Sequence, residues 1–79
     1  MKIPAVKKLV EIYSVEELSA AENAIEEGNN PVIEIEGDDE GEQLTHVYAA
    51  KWIKKQMEGG KEFTRALREF TQKVRNSIG

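Results

Sequence analysis

Phe63, Ala66, Leu67, Phe70, Val74 and Ile78 recur at intervals of three and four residues, which sets them in one stripe along an α-helix. Lys61, Arg65, Arg68, Gln72 and Arg75 fall on the opposite side. A helix divided in this way draws most of its stability from covering the stripe. The rest of the chain must therefore supply a matching apolar surface.

That surface has the same period. Residues 61–78 are the last of four predicted helices. Over residues 4–12, Ile3, Val6, Leu9, Val10 and Tyr13 share one face, and Pro4 sits in a first turn where its missing N–H costs nothing. Ser14 and Glu17 have the spacing of a capping box and open a helix over residues 15–27, with Leu18, Ala21, Ala24 and Ile25 inward. Gly28 and Asn29 supply a left-handed exit, and Asn30-Pro31 confirms the break. A third helix over residues 41–58 turns Lys51, Lys54, Lys55 and Glu58 to solvent. Leu44, Tyr48, Ala49, Trp52, Ile53 and Met57 cover so wide an arc that this helix is expected at the centre, with neighbours on two sides. Gly59-Gly60 makes a tight connection to the fourth. Residues 31–36 alternate β-branched and acidic side chains, but one strand cannot make a sheet, so they read as extended packing. The expected fold is mainly α: a small single domain over residues 1–79, with four helices and one short extended segment between the second and third.

With 79 residues and no cysteine, this domain has no disulfide and no thiolate metal site to reinforce it. A single core of this size supplies a net stability of only about 3–5 kcal/mol. Its longest apolar run covers residues 47–50, far short of the roughly 18 residues of a membrane span or the roughly 7–15 of a signal-peptide core. The expectation is a cytoplasmic protein.

Charge is divided unevenly. Residues 1–42 carry twelve acids against Lys2, Lys7 and Lys8, a net −9, whereas residues 43–79 carry eight bases against Glu58, Glu62 and Glu69, a net +5. The opposed halves predict that acids of residues 11–42 engage the basic face of the fourth helix, within the chain or across a dimer. Glu62 with Arg65, and Glu69 with Lys73, are also spaced to pair along that helix.

Chemistry-bearing motifs are few. Glu36, Asp38, Glu40 and Gly41 imitate the first half of a calcium loop, but Val47 stands where the bidentate Glu belongs, so the acids of residues 37–42 read as a solvated loop that favours a helix N-terminus. His46, the one histidine, has Glu42 a turn before it but no accompanying nucleophile, third ligand or oxyanion motif. Gly59-Gly60-Lys61 lacks the phosphate-loop pattern. No catalytic, cofactor-binding or metal residues are assigned. Tyr48 and Trp52 project together one turn apart, as core or, where exposed, as the centre of an interface. With Arg65, Arg68 and Arg75 they form the candidate interaction surface.

The opening run Met1 to Glu11, the run Ile33 to Val47 with Ala49-Ala50, and the closing Ala66 to Gln72 together resemble a family of short, single-domain bacterial proteins of unknown function. That resemblance implies a bacterial cytosolic protein and carries over no activity, cofactor or site.

By elimination, the expected role is a non-enzymatic binding or regulatory accessory one, through protein–protein contacts or self-association and without a membrane. A nucleic-acid contact through the basic face of the C-terminal helix ranks second, disfavoured by the overall charge of −4. A His-based or metal-dependent enzyme ranks third.

Overall fold

The structure, a computed structural model, describes the backbone of residues 1–78 and the side chains of residues 1–76. Four helices follow in order: α1 (Ile3–Ile12), α2 (Val15–Glu26), α3 (Glu40–Glu58) and α4 (Phe63–Ile78). No strand occurs among the described residues, and residues 31–36 are extended packing, with Ile35 buried, Ile33 half-buried and Val32 fully in solvent.

Local chemistry sets most of the boundaries. Ser14 Oγ accepts the Glu17 N–H while Glu17 Oε1 accepts the Ser14 N–H, completing the capping box that starts α2. Asn29 N–H returns to Ala24 C=O and Gly28 N–H to Ile25 C=O, the paired bonds of a Schellman ending, with Gly28 at φ 81. The same pair closes α3: Lys61 N–H donates to Gln56 C=O and Gly60 N–H to Met57 C=O. This corrects the expected start of the fourth helix. Lys61 still belongs to the turn that caps α3, and α4 begins after it, at Phe63.

The centre of the fold is α3, as its wide apolar arc predicts. The three extensive helix pairs, with α1, α2 and α4, all include it. Val47, Ala49, Ala50 and Ile53 are fully buried on α3, against Val6, Leu9 and Val10 of α1, Leu18, Ala21 and Ile25 of α2, and Ala66 and Phe70 of α4. The Phe70 ring lies 5.8 Å from both the Tyr48 and Trp52 rings in tilted geometry, so α4 docks on α3 through an aromatic cluster.

Two lysines depart from the sequence reading. Lys51 and Lys54 are half-buried, not on a free solvent face. Lys51 Nζ donates to Glu22 on α2, and Lys54 Nζ donates at 2.8 Å to Val10 C=O in the last turn of α1. Because α3 is flanked on both sides, long stems at its margins cross to a neighbour and satisfy charges and orphan carbonyls there.

Gly37 turns the extended segment into α3 at φ 155, and a Cβ there would stand 2.9 Å from the Gln43 backbone nitrogen. Gly37→Ala is expected to lower stability by about 1–3 kcal/mol, since the backbone of α3 cannot give way. Denaturant unfolding with an unchanged slope measures it.

Candidate functional site

The main concavity runs along α3 between α2 and α4. It encloses about 500 Å³ and has an apolar floor of Leu44 and Tyr48 from α3, Phe70 and Val74 from α4, and Met1. Thr45 and Thr71 also line it, but each hydroxyl donates to the carbonyl four residues back, Gly41 and Leu67 respectively, at 2.9 Å. These hydroxyls therefore add little donor character to the groove. Glu22 and Glu26 of α2 form an acidic rim. Glu22 is held by Lys51, whereas Glu26 is exposed and has no ion pair among the described residues.

Of the expected interaction residues, Tyr48 lines this groove with 39% of its surface exposed. Trp52 is half-buried and touches the groove only through Phe70, so the two aromatics do not form one exposed patch. Arg65 Nε lies 3.6 Å from Glu69 Oε2. Lys61 Nζ hydrogen-bonds the same carboxylate at 2.6 Å, and these cations hold the Glu69 carboxyl below the usual carboxylate range, Lys61 most strongly. Arg65 thus pairs with Glu69, not with Glu62 as its spacing suggested. Arg68 and Arg75 are exposed and have no carboxylate within 4 Å among the described residues.

The expectation that acids of residues 11–42 neutralise the α4 face within the chain is not met. Those acids reach other bases: Glu22 meets Lys51, Asp38 and Glu42 approach Lys2 at 3.8 and 3.7 Å, and Glu36 approaches Lys8 at 3.9 Å. The cause is geometric: Glu22 lies where α2 packs against α3, while Glu36, Asp38 and Glu42 lie in or just after the loop before α3, beside Lys2 and Lys8.

His46 is fully buried. Its partner is not Glu42, which instead accepts the Asp38 N–H at 3.2 Å. His46 Nδ1 lies 2.7 Å from Glu36 C=O, and since a carbonyl only accepts, Nδ1 donates. Nε2 is then free of hydrogen and accepts the Lys2 backbone N–H at 2.9 Å. Both ring nitrogens are committed to main-chain groups, so the imidazole fastens the N-terminal segment and the loop before α3 to that helix. The acidic loop caps α3, with Asp39 Oδ1 accepting Glu42 N–H at 2.8 Å. Among the described residues, no three His, Cys, Asp or Glu side chains are grouped to hold a metal.

The groove residues missed by sequence reasoning are Met1, Leu44, Thr45, Phe70, Thr71, Val74, Glu22 and Glu26. Their one visible trace is that the apolar stripe of the fourth helix runs on past the length its neighbours cover. Ile78, which would extend that stripe, lies outside the described side chains.

His46→Ala is expected to cost about 2 kcal/mol, because it empties a fully buried site and leaves a part-buried N–H and C=O without partners. The denaturation midpoint reports this loss, and limited proteolysis ahead of α1 should accelerate with it.

Neither the curated proteins nor the solved structures contain a match to this chain. A family model does match, over residues 1–79. On that full-length match, the chain belongs to the family described as "Family of unknown function (DUF6952)".

Proposed function

We propose that this chain is a non-enzymatic, cytosolic binding module that receives an apolar helix face in the groove between α2 and α4. One observation carries the reading: the molecule leaves about 500 Å³ of apolar concavity open beside a half-exposed Tyr48, in a domain with little core to spare. Apolar grooves between helices are docking sites for amphipathic helices, and exposed Tyr beside uncovered aliphatics is typical of interface centres. The committed hydroxyls of Thr45 and Thr71 favour an apolar partner over a polar small molecule. No helix among the described residues is long and apolar enough to cross a membrane, and the absence of cysteine suits a reducing compartment.

Nucleic-acid contact is less well supported. The outer concavity on α4 mixes Glu62 and Glu69 with Arg65 and Arg68, which breaks up the positive field that phosphates need.

The test uses Thr71→Arg, which fills the groove from an exposed position and is expected to leave the melting temperature within a few degrees of wild type. Tagged wild-type and Thr71→Arg chains are used to capture protein, the untagged chain included, with and without nuclease. A nuclease-resistant protein held by wild type and lost in Thr71→Arg supports the groove. Capture that disappears with nuclease, or that Thr71→Arg leaves unchanged, sinks it.

A further inference from the structure

We infer that the occupant of the groove is the C-terminal part of α4 from a second copy of this chain, bound reciprocally about a two-fold axis. The inference rests on the groove being a protein-docking site and names what docks there.

The first observation is an uncovered helix end. Every residue from Thr71 to Asn76 is exposed, so α4 runs about 9 Å beyond Phe70 with its stripe only partly covered. Val74 continues the apolar stripe there and is 39% exposed. The groove and the exposed helix end share Thr71 and Val74 as lining residues. An open cleft and a helix without cover, adjacent on one molecule, meet the condition for an isologous contact, in which one patch complements itself. An axis near Val74 brings each α4 end, antiparallel to its mate, over Leu44 and Tyr48 of the other copy.

The second observation is charge. Arg68 and Arg75 stand three residues before and four after Thr71, so they flank this groove-lining residue on its outer side, away from the apolar stripe. Neither has a carboxylate partner among the described residues, and Glu26 on the facing rim has no cation. No ion pair joins α2 to α4 among the described residues. A second α4 set in the groove carries its arginines toward that acidic rim. The complementarity of the −9 and +5 halves, left unused on α4 inside one chain, is then used between two. The acidic rim opposes an anionic occupant, and a neutral helix would leave Arg68, Arg75 and Glu26 unanswered.

Standard interfaces remove about 800 Å² from each partner, which is about 15% of the 5187 Å² surface of this chain. One helix end in one groove, made twice by symmetry, is of that order or smaller, which suits a dimer in reversible exchange.

Sedimentation of the full chain from micromolar to millimolar concentration tests the inference. Wild type should rise from one chain mass to two, and Val74→Glu should stay at one with unchanged helix content. Glu26→Lys should weaken the dimer about tenfold or more, and adding Arg68→Glu and Arg75→Glu to it should restore association by exchanging the signs. A single-chain mass for wild type at every concentration overturns the inference. So does a dimer that survives Val74→Glu, or a charge exchange that fails to restore it. Capture lost in Thr71→Arg while wild type stays monomeric would reject the second copy and keep the groove. A Thr71→Arg chain unchanged in both mass and capture would reject the groove itself.

Discussion

Burial of α3 on two sides is the constraint on which the other elements depend. Ala49 and Ala50 carry almost no side chain and are wholly out of solvent, so neighbouring helices approach the α3 backbone closely. Val47 and Ile53 then fill the remaining volume against α1, α2 and α4. A chain of 79 residues without disulfides has little redundancy: if α3 is displaced, the three other helices lose their common partner at once. Lys51 and Lys54 reinforce this from the margins, one through the α2 carboxylate and the other through a carbonyl at the end of α1. The long-range hydrogen bonds of Lys2 with His46, Lys51 with Glu22 and Lys54 with Val10 therefore converge on the central helix.

The two ends of α4 are treated differently, and the proposed function rests on that difference. Near its start, Lys61 and Arg65 converge on Glu69, and Ala66 and Phe70 are buried against α3. Beyond Phe70 the helix keeps its amphipathic pattern but loses its cover. An amphipathic pattern without an intramolecular partner is the kind of local inconsistency that natural chains retain where something binds. The open groove between α2 and α4 lies beside it, which is why we propose that a partner is received there.

Much of the fold is legible in the residues because the relevant chemistry is local. The capping box at Ser14 and Glu17, the left-handed exit at Gly28 and the wide apolar arc of α3 each involve residues within a turn or two of one another. Periodicity misplaces a boundary where a backbone group is engaged outside its own helix. Lys61 belongs to the turn that closes α3, and α4 opens only after it, at Phe63. The site is far less legible. Tyr48 is visible as a candidate, but Glu22, Leu44 and Val74 come together only because α2 and α4 each pack extensively on α3, on either side of the groove.

His46 shows where the division lies. Spacing along the helix offers Glu42, four residues away, as its partner. The tertiary structure instead supplies Glu36 C=O and Lys2 N–H, the latter 44 residues distant. Periodicity, capping and turn residues act over a few positions, so the residues alone determine four helices, their inward faces and a central α3. Which acids meet which lysines, which imidazole nitrogen accepts, and which stretch of an apolar stripe stays uncovered depend on distances between segments remote in the chain. Only the packing of α1, α2 and α4 around α3 sets those distances.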